Sequence, residues 1–118
     1  KTRNKSKQDF KKGDNMTEFT SRLLSIIKSI PVGRVSTYGR IAELAGNPRA
    51  ARQVSWTLRA YSQKQSLPWH RIINSKGRIS LGRGQGFELQ KTLLEEEGII
   101  VGDNGEIDLT KYLWNDNP

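Results

Sequence analysis

Residues 30–60 read IPVGRVSTYGRIAELAGNPRAARQVSWTLRA, and the way this stretch breaks into turns and helices decides the fold. Pro31 and Gly33 make a turn, after which the hydroxyl of Ser36 or Thr37 serves as N-cap for a short helix. Ile41, Leu44 and Ala45 fall on one face of that helix, and Gly46 stops it. Asn47 then caps a second helix, with Pro48 in its first position, where a missing N–H costs nothing. Along "RAARQVSWTLRA" the helical period turns Ala51, Val54 and Leu58 inward and leaves Arg49, Arg52 and Arg59 outside. Two helices joined by a glycine-containing turn, the second lined with arginine, match a helix-turn-helix. The same spacing also fits two ordinary packed core helices.

Upstream, Thr17 is an N-cap, and Phe19, Leu23, Ile26, Ile27 and Ile30 recur at helical spacing up to Pro31, which predicts an amphipathic first helix. Before it, residues 1–15 are charged and nearly free of apolar side chains. Such a segment cannot offset its own ordering entropy. It is expected to be a disordered basic arm, either gripping phosphates nonspecifically or simply appended, with Met16 as a natural start and residues 16–118 as one domain. Downstream, "SQKQS" is a loop, "PWHRIINSKGRIS" an extended stretch with a turn at residues 75–77, and "GRGQG" a flexible loop. "FELQKTLLEEEG" predicts a helix burying Phe87, Leu93 and Leu94, and "IIVGDNGEIDL" a hairpin around residues 103–105. No internal repeat is visible.

Composition excludes several function classes. The chain of 118 residues has no cysteine and one histidine, so thiolate chemistry, disulfides and an ordinary zinc site are all ruled out. "GRGQG" lacks the Gly-Lys-Ser/Thr ending of a phosphate loop, which argues against nucleotide hydrolysis. No apolar run exceeds three residues, so a membrane span or secretory signal is not expected, and the protein is read as intracellular. The net charge of +8 is unevenly spread. Residues 34–83 carry ten Lys/Arg against Glu43 alone, whereas residues 84–118 carry two lysines against eight acids. This grouping predicts one face for a polyanion, because solubility alone would be served by scattered charge.

"IPVGRVSTYGRIAELAGNPRAARQV", followed in order by "PWHRIINSKGRIS" and "LLEEEG", closely resembles the DNA-binding domain of O6-alkylguanine-DNA alkyltransferases, from about Thr17 to Trp114. Those enzymes carry Pro-Cys-His-Arg in the loop, and its cysteine accepts the alkyl group. Here Trp69 takes the cysteine position, as in the non-catalytic, alkyltransferase-like branch of the family. Chemistry agrees independently. Dealkylation needs a soft, partly ionised nucleophile, and an indole has no usable lone pair.

The resemblance implies a fold that is mostly α with a small β element, a winged-helix-like helix-turn-helix with a two- or three-stranded sheet near the end. It also assigns roles. Tyr38 would crowd the 3′ phosphate and rotate the target nucleotide out, and Arg52 would enter the duplex to fill the vacated space, with Thr37, Arg49, Ala51 and Arg59 on the same DNA-binding face. Trp69 would form a wall for the flipped purine, or else merely plug the old active site. Pro68 and Arg71 would hold its loop, with His70, Val35 and Tyr61 also at the lesion pocket, Tyr61 where the enzymes place an asparagine. A stacking arginine beyond the loop maps to Arg83 or Arg78. His70 and Glu97 would remain as a structural relic of the catalytic relay.

The implied function is non-enzymatic recognition of O6-alkylguanine in duplex DNA by nucleotide flipping, followed by hand-over to nucleotide excision repair, with no cofactor or metal. A monomer is expected, since no zipper or long apolar edge is present. The acidic end, which cannot lie on phosphate, is the candidate repair-partner surface. The rivals are a residual enzyme using His70 or an aspartate, a helix-turn-helix transcription regulator and a general DNA-binding protein.

Overall fold

The computed structural model describes residues 16–115; the expected basic arm over residues 1–15 lies outside them. The protein is mostly helical with one small sheet. Its elements are α1 (Glu18–Lys28), β1 (Ser36–Thr37), α2 (Tyr38–Leu44), α3 (Ala51–Gln65), a single 3-10 turn (Trp69–Arg71), β2 (Ile72–Ile73), α4 (Phe87–Glu96) and α5 (Leu109–Tyr112).

Local chemistry accounts for the helix ends. Thr17 accepts from the Thr20 amide at 3.0 Å to open α1, and Thr37 accepts from the Arg40 amide at 3.1 Å to open α2. Of the residues expected inward on α1, Leu23, Ile27 and Ile30 are fully buried, while Phe19 and Ile26 are half-buried. Between α2 and α3 the structure departs from expectation. Asn47 and Pro48 do not start the second helix but form a turn, in which the Asn47 carbonyl accepts from Ala50 N at 3.0 Å. The helix begins at Ala51, and Ala50, at its N-cap, contributes no side-chain cap. The asparagine carboxamide is spent inside the turn, accepting from Arg49 N at 3.1 Å, so it cannot reach the helix.

The sheet also differs from expectation. It is two-stranded and parallel, pairing Ser36 with Ile72 and Thr37 with Ile73, in the middle of the chain and not near its end. Successive strand residues face opposite sides, and this divides the interior. Ile72 packs with Leu23, Ile27, Ile41 and Val54 in one core; Ile73 packs with Val35, Phe87, Leu94 and Ile107 in a second. Helices α1, α2 and α3 thus meet one face of the strand pair, and α4 with the C-terminal segment the other.

The expected hairpin forms only its turn. Gly102 N donates to the Glu106 carbonyl at 2.9 Å, but the outgoing arm pairs with residues 77–79 instead of with its own incoming arm. Ile107 N donates to Gly77 O at 2.8 Å and Ile79 N to Gly105 O at 3.0 Å. This crossing demands glycine. A Cβ on Gly77 would lie 2.9 Å from the Ile107 carbonyl, and one on Gly105 2.8 Å from the Phe87 ring. Among the described residues, no helix is long and apolar enough to cross a membrane, and no group of acidic or imidazole side chains could hold a metal.

Candidate nucleic-acid interface

The interface is built on α3. Its residues Ser55, Leu58, Arg59, Ser62 and Gln63 recur at helical spacing and form one wall of a cavity of about 360 Å³. Tyr38 at the start of α2, Trp69 and Leu81 close the cavity from the other sides, and Gln90 and Ile72 form the rest of its lining. The volume lies within the ~300–1,000 Å³ usual for small-molecule sites. Tyr38 is steadied by its neighbour, its hydroxyl standing 3.4 Å from Ser80 Oγ. The Ser62 hydroxyl has no hydrogen-bond partner among the described residues, which leaves an unsatisfied polar group in a lining that also holds Leu58, Trp69, Ile72 and Leu81.

Trp69 is held in place by a charged brace beneath it. Glu97, just past the end of α4, accepts from Arg71 Nε through both oxygens at 3.0 Å and from Arg71 Nη2 at 2.7 Å. His70 Nε2 stands 2.7 Å from the same carboxylate, and Gly33 N donates to it at 3.0 Å. Arg71 Nη1 reaches the Ile30 carbonyl at 2.8 Å, which ties in the segment after α1. Burial alone would raise the Glu97 carboxyl, but the Arg71 guanidinium, His70 and the Gly33 amide outweigh it and hold it at about 2. A carboxylate this acidic is purely an acceptor, so His70 Nε2 carries the hydrogen. Gln90 completes the support: buried in α4, it donates to the carbonyls of His70 and Ile72 at 2.9 and 3.0 Å. The 3-10 turn bearing Trp69 is therefore fixed from both its side chains and its backbone.

Around the cavity the surface is basic. Arg49, Arg52 and Arg59 are exposed, and their side chains have no hydrogen-bond or ion-pair partner among the described residues. Arg52 stands in the first turn of α3, beside half-buried Ala51. A guanidinium that is unpaired and solvated can meet a phosphate or a base without first breaking an internal contact.

Of the residues that sequence reasoning gathered around the lesion, the structure brings Tyr38, Arg59 and Trp69 to the cavity. Pro68 and His70 flank Trp69 along the chain without lining it. Arg71 is turned inward, into the brace. Val35 is fully buried in the second core, its amide donating to Tyr112 O at 2.9 Å. Tyr61 packs on the first core, with its ring edge-on to Trp56 at 6.3 Å. Neither Arg78 nor Arg83 lines the cavity. Arg78 pairs with Glu106 at 3.3 Å; Arg83 donates to the Asp103 carbonyl at 2.9 Å and lies 4.6 Å from the Phe87 ring centre. The acidic turn at residues 103–106 has captured both, and Leu81 stands where an arginine was expected. Sequence reasoning missed Leu81, Gln90 and the Ser55–Ser62 stripe. The stripe had a signal, since Ser55, Leu58, Arg59, Ser62 and Gln63 recur at i, i+3, i+4, i+7 and i+8 on one helix face, polar but for Leu58.

Comparison with known proteins places this geometry. The family model described as 6-O-methylguanine DNA methyltransferase, DNA binding domain, matches residues 18–99. A DNA base-flipping protein of Escherichia coli K12 is 46% identical over 97 residues, covering 82% of this chain and 74% of that protein. Alkyltransferase-like protein 1 of Schizosaccharomyces pombe is 38% identical over 104 residues, covering 84% of this chain and 96% of that protein. Among solved structures, S. pombe Atl1 in complex with damaged DNA containing O6-carboxymethylguanine superposes with a TM-score of 0.72 at 38% identity, covering 83% of this chain and 95% of that one.

Proposed function

The chain belongs to the family of 6-O-methylguanine DNA methyltransferase DNA-binding domains, and from that premise we propose that it recognises O6-alkylguanine in duplex DNA by nucleotide flipping, without chemistry, and flags the site for nucleotide excision repair. The observation that carries this reading is the cavity shared by Tyr38, α3 and an indole, set beside three unpaired arginines. Tyr38 and Arg52 displace the nucleotide, Arg52 occupying the gap, and the base rests against Trp69. Extrusion costs a few kcal/mol, less where an alkyl group has already weakened the pair, so part of the selectivity comes from the lesion itself. The absence of any cysteine and the replacement of the acceptor position by Trp69 support recognition without transfer. On this reading the His70–Glu97 pair serves only to hold the loop. Two relatives, a DNA base-flipping protein of Escherichia coli and S. pombe Atl1 in complex with damaged DNA, support the same reading.

The protein acts as a monomer and approaches DNA through the minor groove with α3. The acidic C-terminal surface, from Glu88 onward, is left for the repair partner.

Trp69→Ala tests the reading. With one stacked ring worth about 1–3 kcal/mol, the preference for a duplex containing O6-methylguanine over the same duplex with guanine is expected to shrink roughly tenfold. Affinity for the undamaged duplex should hardly change, because Trp69 carries no charge to neutralise phosphate. An unchanged lesion preference would mean that the indole only plugs the cavity.

A further inference from the structure

One helix face on α3 is not accounted for by the flipped nucleotide. Trp56 is 50% exposed, although tryptophan is among the side chains with most to gain from burial. It points away from the Trp69 cavity, into a separate groove of about 480 Å³ that it shares with Arg49, Arg52, Gln53 and Arg59. Arg52 is one turn before it and Arg59 one turn after, so the indole sits between two guanidinium groups on the same face. Neither arginine has a partner among the described residues, and no acidic side chain lines the groove. Tyr61 meets the indole edge to face at 6.3 Å and restricts its orientation while leaving half its surface open. Arg59 lines both this groove and the Trp69 cavity, so the two are adjoining.

An oriented, exposed aromatic ring among unpaired cations is what binds unstacked bases: the ring supplies a sequence-indifferent stacking platform, and the cations hold the backbone. We infer that Trp56, with Arg49, Arg52 and Arg59, forms a second subsite on α3 that takes an unpaired base, namely the partner left behind when a nucleotide leaves the duplex. The inference rests on the flipping reading for the origin of that base, though not for the chemistry of the subsite. Arg52 fills the gap in the stack, and the orphaned base, displaced by it, finds Trp56 one helical turn away. A protein partner would also value an exposed tryptophan flanked by arginine. Continuity with the cavity through Arg59 and the absence of any acid favour DNA.

The test uses pre-made unpaired bases, so that it does not depend on flipping. Binding is measured to two duplexes that differ at one pair: in the first an abasic site faces a normal cytosine, and in the second both opposing positions are abasic. The wild-type chain is expected to prefer the first by about 5- to 30-fold, the weight of one stacked base. Trp56→Ala should bind both alike, and Trp56→Phe should recover most of the preference. Because Trp56 is half exposed, both variants are expected to keep the thermal transition of the parent, which is measured alongside. Equal wild-type affinity for the two duplexes, or a preference that survives in Trp56→Ala, would overturn the inference and return this face to a protein partner. Failure of the flipping reading would show elsewhere, as loss of discrimination between O6-methylguanine and guanine duplexes.

Discussion

Replacing Glu97 with alanine is expected to lower the unfolding free energy by roughly 3–5 kcal/mol, the cost of stranding one partner of a buried ion pair. The Arg71 and Glu97 side chains are only 15% and 12% exposed, so solvent cannot take over the lost contact. Arg71 would keep its bond to the Ile30 carbonyl but lose three contacts to the carboxylate, and Gly33 N and His70 would lose theirs as well. Against a total stability of about 5–15 kcal/mol for a domain of this size, such a loss is large. The same group sets the acid limb of stability. Its carboxyl is lowered in the folded protein from 4.5 to about 2, so its contribution is fully present above pH 4.5 and is lost as the pH falls toward 2. The loss amounts to roughly 3 kcal/mol at about 1.4 kcal/mol per unit. Urea unfolding between pH 2 and 6 checks both expectations at once: in Glu97→Ala the curve should be lower throughout and flatter below pH 4.5. A variant that unfolds with the parental midpoint and the parental acid limb would show that the brace carries no stability.

On the proposed reading, in which Arg52 fills the gap left by an extruded base, Arg52→Ala should weaken binding to a lesion duplex by about 30- to 100-fold, or roughly 2–3 kcal/mol. The expected signature separates it from an ordinary phosphate contact. Loss of a phosphate contact weakens binding to every duplex alike and reduces the salt slope by about 0.9. Loss of the gap-filling residue adds a penalty confined to the lesion duplex. Arg52→Lys should restore the salt dependence without the lesion affinity, since an ammonium cannot replace a planar guanidinium in a base stack. Equal losses on damaged and undamaged DNA, with full rescue by lysine, would reduce Arg52 to a phosphate ligand.

The parts of this fold that were legible in the sequence are those with a strong local period. Helix α1 is announced by Leu23, Ile27 and Ile30 and by the Thr17 cap, and α2 by Thr37 and Ile41. The parts that were not legible depend on contacts between distant residues. Each strand is two residues long, too short for any alternation, and the sheet exists only because Ser36 meets Ile72 across the chain. Asn47-Pro48 carries a valid helix-start signal, but the turn used the asparagine locally and delayed α3 to Ala51.

The candidate site divides in the same way. Tyr38, Arg52 and Trp69 were assigned from the resemblance, and the structure brings Tyr38 and Trp69 to the cavity and Arg52 to the adjoining groove; the charge grouping pointed to the arginine face. Arg78 and Arg83 were not legible as partners of the acidic turn at residues 103–106, because that turn lies twenty or more residues away in the chain. Gln90 was hidden by its type: a polar side chain on the inward stripe of α4 reads as a blemish, and only the two carbonyls of the Trp69 loop explain it. Arg71 was read as holding the Trp69 loop, but its partners could not be read from the sequence. Glu97 and the Ile30 carbonyl, which it bonds, lie 26 and 41 residues away in the chain.

The central claim is that this chain singles out O6-alkylguanine and leaves it unchanged. The direct measurement is the affinity for a short duplex carrying one O6-methylguanine against the same duplex with guanine, with the DNA recovered afterwards and its adduct counted. Binding at least tenfold tighter to the lesion, or about 1.4 kcal/mol, with every methyl group still in place, is the predicted result. Equal affinity for the two duplexes, or methyl groups missing from the recovered DNA, would contradict it.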